Sequence, residues 1–335
     1  MWERPRLALA ATALMIPLAF VPFLGSGLGK NALPCQEARA QEPRSAALRA
    51  PEVEPTEARF AEVGSAEHAS PAPFQVERFG QGDPMILIPG MTSSGDVWAG
   101  MVERYGDRYE LHALTLAGFA GVPPLEEGPF LPVVRDALLD YIREEGLEEP
   151  VLVGHSLGAF LAFWVAASAP DLVGPIIAVD GVPFLPALSD PSATPEGMAE
   201  SADQVRAFYA TLTPEQMEAQ ARMAATGMVR DPAHVATIAS WGRDSSPSTA
   251  GQAFAEMLTT DLRGEVTRIR APVLLFLAGG GFSDGQLEGA VARYREQIAG
   301  IPRTEVRAAA DARHFIMWDD PDLLFHAIDG FLEGS

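Results

Sequence analysis

Cysteine is nearly absent. Cys35 stands alone in 335 residues, so no intrachain disulfide can form. No set of Cys and His has the spacing of a zinc site, and the six histidines (His68, His112, His155, His234, His314 and His326) are scattered. No metal is therefore expected, and no cofactor is implied. Basic residues are also scarce. Lys and Arg total 24 against 45 Asp and Glu, a net charge of −21. Nucleic acid is not expected as a partner, because phosphate binding needs clustered cations. Adhesion to anionic lipid is disfavoured for the same reason. Apolar residues make up 47% and charged residues 21%, the balance of a soluble globular protein. The length allows one large domain or two.

The first forty residues read as an export signal. Arg4 and Arg6 form a basic start, Leu7 to Leu24 is uncharged and apolar, and Ala38-Arg39-Ala40 fits a small-x-small cleavage site before Gln41. The chain is then periplasmic or secreted. The competing reading is an uncleaved anchor, since the apolar run 7–24 has the minimum length for a membrane span. Membrane contact is expected only in that case. Residues 41–73 are rich in Ala, Glu, Pro and Arg without a sustained apolar period, and read as a disordered linker.

Folding begins at Phe74. Phe74–Phe79 alternates as an edge strand does, and Met85–Ile88 is a short apolar run suited to a strand buried on both faces. Further strands are expected at 111–116, 151–153, 176–181, 273–277 and 304–307, with helices at 131–145, 159–169 and 323–332. Strands alternating with helices imply β-α-β units, hence an α/β fold with a mainly parallel sheet flanked by helices. Between 182 and 268 strand signals vanish, and helices are expected at 196–210, 214–226, 232–241 and 249–262. This reads as a helical cap over one end of the sheet. Its Met198, Met217, Met223, Met228 and Met257, with Phe208, Tyr209, Trp241 and Phe254, either line an apolar pocket or hold the cap to the domain.

The chemistry centres on Gly154-His155-Ser156-Leu157-Gly158, a G-x-S-x-G run between a strand and a helix. A serine there sits on a strained turn that lifts its hydroxyl above the sheet edge. The glycines remove Cβ atoms where strand and helix backbones nearly touch. The helix start offers N–H groups and partial positive charge to an oxyanion. Such a serine needs a base and a group to orient it. His314 follows the last strand and precedes the closing helix, where the sheet edge presents it to Ser156. His155 lies inside the turn and is expected to point away from the Ser156 side. Two carboxylates compete for the third place. Asp284 lies after the penultimate strand, in Gly279-Gly280-Gly281-Phe282-Ser283-Asp284, and Asp180 ends the strand after the Ser156 helix. Asp284 is preferred, and Asp180 stays open. The oxyanion donors are expected to be the backbone N–H groups of Leu157 and Met91.

With these pieces placed, residues 74–333 resemble the α/β-hydrolase superfamily. The resemblance rests on 154–158, on Ile88-Pro89-Gly90-Met91 through Trp98, on Leu116-Ala117-Gly118-Phe119-Ala120-Gly121, and on His314 before Asp320-Pro321. It is strongest to cap-bearing, carboxylesterase-like members. It implies Ser156 as nucleophile, His314 as base, Met91 and Leu157 as oxyanion donors, and a lid over 182–268. Many members carry His-Gly where this chain has Pro89-Gly90, and the usual acid loop places its Asp near Gly281. The expected activity is hydrolysis of a small-molecule carboxylic ester or other acyl substrate through an acyl-enzyme. Acyl transfer or perhydrolysis with the same triad, and a non-catalytic ligand-binding protein on this fold, are the alternatives.

Overall fold

A computed structural model describes residues 72–126 and 128–334. The export signal or anchor, and all but the last two residues of the 41–73 linker, lie outside the described residues. Among the described residues no helix is long and apolar enough to cross a membrane.

Among the described residues seven strands form one sheet: β1 (Phe74–Gly80), β2 (Asp83–Ile88), β3 (Tyr109–Leu116), β4 (Val151–His155), β5 (Ile176–Val179), β6 (Val273–Ala278) and β7 (Thr304–Ala309). Their spatial order is β1-β3-β2-β4-β5-β6-β7. Only β1 runs antiparallel, against β3; every other pairing is parallel. Central strands β4 and β5 are buried at every position, which is why they appear in sequence as unbroken apolar runs.

The two faces divide by the period of two. Ile86, Ile88, Leu152, Ile176 and Leu275 pack under one helical layer, and Met85, Leu87, Val153, Ile177 and Phe276 under the other. The first layer contains α2 (Leu131–Glu144) and α3 (Leu157–Ser168) and includes α8 (Asp284–Gln297). The second contains α1 (Ala99–Tyr105), the short α9 (Ile316–Asp319) and the closing α10 (Pro321–Glu333). Helix α3 is apolar all round, and Leu157 to Ala167 are all buried, as a helix at the centre of the molecule requires. The sequence reading assigns no helix to 99–105 or 284–297. The second carries Gly285 and Gly289, and only Ala290, Tyr294 and Gln297 of its residues are buried, so its apolar period is faint.

Four helices fill the segment between β5 and β6: α4 (Pro195–Tyr209), α5 (Pro214–Met228), α6 (Pro232–Arg243) and α7 (Pro247–Thr259). Each has Pro in its first turn and a Ser, Thr or Asp cap accepting a backbone N–H. The cap is built as two pairs, α4 with α7 and α5 with α6. Tyr209, Met217 and Met257 are buried in the main core, so they hold the cap down; Met223 is 56% exposed and lines no interior.

Candidate active site

Backbone geometry sets the site. Ser156 follows β4 at φ 54° and ψ −115° and opens α3. A positive φ is costly for a residue with a Cβ, by about 1–3 kcal/mol. The surroundings enforce it. A Cβ on Gly154 would lie 2.3 Å from the Gly158 carbonyl oxygen, and one on Gly158 would lie 2.1 Å from that of Ile88. The Ser156 N–H donates to the Val179 carbonyl (2.9 Å), and the Ser156 carbonyl accepts from Ala159 and Phe160 (3.1 Å each). Leu157 is the first residue of α3, so its N–H has no partner within the helix. The Gly90–Met91 backbone runs beside the serine: a Cβ on Gly90 would sit 3.4 Å from the Ser156 Cβ. Of the two residues expected to carry oxyanion donors, Leu157 thus follows Ser156 directly and Met91 follows the glycine packed beside it.

The structure joins His314 to Asp180. The His314 Nδ1–H donates to Asp180 Oδ2 at 2.6 Å, across 134 residues of sequence. Asp180 lies just past β5 with φ 49°, a conformation Asp tolerates better than most residues. Its N–H donates to the Phe276 carbonyl (3.0 Å). Its Oδ1 accepts from the Ala278 N–H (2.9 Å) and the Tyr294 hydroxyl (3.0 Å). Burial pushes the Asp180 carboxyl up, but the His314 hydrogen bond and charge, the Ala278 N–H and the Tyr294 hydroxyl outweigh it. The carboxyl lies below its ordinary range and is ionised at neutral pH.

Asp284, the preferred carboxylate in the sequence, does not meet His314. It is the exposed first residue of α8, beyond a capping box between Ser283 and Gln286. The turn before it passes beneath the His314 loop as bare glycine. Gly280 donates to the Ala312 carbonyl (2.8 Å), and a Cβ on Gly279 would lie 2.9 Å from the Ala310 Cα. The chain has already turned away when it reaches Asp284. Gly281, at φ 102°, occupies the place where the resemblance expects the acid.

His155 does more than fill the turn. Its ring lies against that of His314, with centroids 4.5 Å apart, and its Nε2 donates to the His314 carbonyl at 3.0 Å. Burial, with the nearby His314, holds His155 well below its ordinary value, so it is neutral. The cap grips the same loop. Arg313 donates to the Thr226 (2.9 Å) and Val229 (2.7 Å) carbonyls at the end of α5. Asp319 accepts from the N–H groups of Arg230 and Arg313, both at 2.8 Å. Phe315 and Trp318 are stacked 4.8 Å apart, and His234 of α6 lies over Trp318 at 4.3 Å. Sequence reasoning set His155 aside as pointing away from Ser156, whereas its ring meets His314, and it missed Tyr294 and this clamp, because each depends on a partner distant in sequence. Among the described residues no group of three or more His, Cys, Asp and Glu is placed to hold a metal ion.

Ser156, Asp180, His314 and the Gly90–Met91 turn all follow the carboxyl ends of parallel strands, where an open α/β sheet forms its binding crevice. Known proteins resemble the chain in sequence and in fold. The chain is 29% identical over 273 residues to the N-formylmaleamate deformylase of Pseudomonas putida, covering 76% of this chain and 90% of that protein. It is 32% identical over 126 residues to the pimeloyl-[acyl-carrier protein] methyl ester esterase of Aeromonas hydrophila, covering 37% of this chain and 48% of that one. A thermophilic esterase of solved structure from Thermogutta terrifontis shares the fold with a TM-score of 0.63 at 20% identity, over 80% of this chain and 99% of that one. The alpha/beta hydrolase family matches residues 85–327, which take in most of β2, strands β3 to β7, the cap and the positions of Ser156, Asp180 and His314, and the chain belongs to that family.

Proposed function

We propose that the protein is a serine hydrolase acting on carboxylic esters, with Ser156, His314 and Asp180 as its triad. The single observation that carries the reading is the 2.6 Å contact from His314 Nδ1 to Asp180 Oδ2, with Asp180 ending the strand next to the one that ends at a serine held at positive φ. With Nδ1 donating to Asp180, the other ring nitrogen, Nε2, has its lone pair free to act as base.

In this mechanism His314 takes the proton of the Ser156 hydroxyl as its oxygen attacks the ester carbonyl. The resulting oxyanion lies between the N–H groups of Leu157 and Met91. Aligned donors of this kind act on charge that develops only in the transition state. The C–O bond to the alcohol breaks, and His314 returns the proton to the departing oxygen. Water then attacks the acyl-enzyme, His314 again accepting a proton, and the carboxylic acid leaves with Ser156 restored. Asp180 stays ionised throughout and holds the ring.

Hydrolysis of p-nitrophenyl esters from acetate to decanoate by the chain and by Ser156→Ala tests this. The expected result is turnover with a chain-length optimum set by the cap, falling about 10⁴-fold or more in the variant. Equal turnover by the two would place the nucleophile elsewhere. A second reading, hydrolysis of a small acyl amide, is favoured by the likeness to a deformylase over 90% of that protein. Small formamides and acetamides assayed in the same series separate the two.

A further inference from the structure

Asp180 Oδ2 is engaged by His314, and its Oδ1 by two donors from two other elements, the Ala278 N–H at the end of β6 and the Tyr294 hydroxyl of α8. We propose that Tyr294 is a positioning residue of the active site: its hydroxyl sets the plane of the Asp180 carboxylate so that Oδ2 faces His314. The proposal rests on Asp180 being the triad acid.

The geometry explains why one donor is not enough. The terminal torsion of an Asp side chain is broad, with no sharp staggered wells. A single backbone donor at Ala278 anchors Oδ1 but leaves the carboxylate free to swing about that contact. A second donor, arriving from a helix rather than the sheet, removes the swing. Tyr294 suits this task. Its ring is 7% exposed and packs in the main core, on the face of α8 that also buries Ala290 and Gln297. A ring so held has two torsions to fix and little room to move. Burial and the adjacent Asp180 both push the hydroxyl well above its ordinary value, so it remains a donor wherever the enzyme works.

The arrangement also gives the loop after β6 a function. Gly279, Gly280 and Gly281 bring no carboxylate to His314. The helix that follows returns to the site ten residues after its start and contributes a hydroxyl in place of an acid. The acid and its second donor thus come from neighbouring strand ends, β5 and the helix behind β6. A tyrosine that merely satisfies its own buried hydroxyl on a convenient carboxylate would fit the same contact, and the two roles differ in what the carboxylate does without it.

A double-mutant cycle separates them. Tyr294→Phe removes one oxygen and keeps the ring. Kinetic constants are measured for the unmutated enzyme, Tyr294→Phe, Asp180→Asn and the double variant, on the ester that the chain-length series selects. The kcat is expressed per site titrated by a fluorophosphonate, so unfolded chain does not enter the number. Hydrogen bonds to charged groups being among the stronger ones, kcat should fall about 10-fold in Tyr294→Phe, with KM within about twofold. In the Asp180→Asn background the same change should cost less than about threefold, because the carboxylate it orients is gone. A Tyr294→Phe enzyme with unchanged kcat, or with the same loss in both backgrounds, overturns the proposal. Full activity in Asp180→Asn alone removes the acid assignment itself and the positioning role with it.

Discussion

His155 shows how much a single side chain inside the Ser156 turn contributes. It sits between Gly154 and Ser156, yet its Nε2 donates to the carbonyl of His314, 159 residues away. The strand end carrying Ser156 therefore also holds the backbone of its proposed base. His155→Leu keeps an apolar filling and removes the donor. Leaving that carbonyl without its partner should destabilise the fold by about 1–3 kcal/mol. A shift in the urea midpoint accompanied by a fall in kcat is expected; stability loss with full kcat would show that the contact serves the fold alone. The places of Ser156 and His314 in the fold were legible because each is set by its neighbours in sequence: a glycine on either side at two residues, or a final strand just before. Asp180 against Asp284 was not. Both lie beyond the carboxyl end of a strand, and which one reaches the histidine depends on the path of the 279–283 turn.

At the scale of elements, the strand-turn-helix unit of β4 and α3 tolerates little change. The 2.1 Å distance from an added Cβ on Gly158 to the Ile88 carbonyl oxygen is backbone against backbone, with no flexible side chain to yield. Gly158→Ala should cost at least about 3 kcal/mol, at the upper end of overpacking penalties, and lower the thermal midpoint accordingly. A midpoint within a degree or two of the original would show that β2 and α3 are free to separate. These glycines could be read from sequence because a close approach needs Gly irrespective of context. The cap helices were equally legible, since Thr194, Thr213, Asp231 and Ser246 each precede a proline and mark their starts. Helix α8 was hidden by its glycines and weak apolar period. With it went the clue that the chain beyond Gly281 returns to the site through Tyr294.

For the whole molecule, two buried histidines tie stability to pH. His112 is buried on β3 with its Nδ1 2.7 Å from the Tyr141 hydroxyl, and His155 is buried beneath the His314 loop. Burial holds both below the ordinary value of 6.5. The unfolded chain takes up these protons near pH 6.5, before the folded chain does. Their contribution is therefore complete above about pH 7 and is lost as pH falls below about 6.5, at up to about 1.4 kcal/mol per pH unit for each proton. Urea unfolding at pH 8 and pH 5.5 should show the decline, and His112→Phe should flatten it. A profile level across that interval would mean that both sites accept protons without unfolding. The mainly parallel sheet, the helices flanking it and the helical segment between β5 and β6 follow from patterns spread over many residues, and such patterns survive local ambiguity. The acid of the site does not.

The central claim is that Asp180, and not Asp284, completes the site with His314 and Ser156. The most direct test is kcat/KM for one p-nitrophenyl ester measured on Asp180→Asn and Asp284→Asn side by side. An amide at 180 no longer supplies the negative charge that stabilises the protonated base. Asp180→Asn should therefore fall about 10³–10⁴-fold, while Asp284→Asn, altered at an exposed helix start, should stay within about threefold. The reverse pattern, or equal mild losses in both, would contradict the assignment of Asp180.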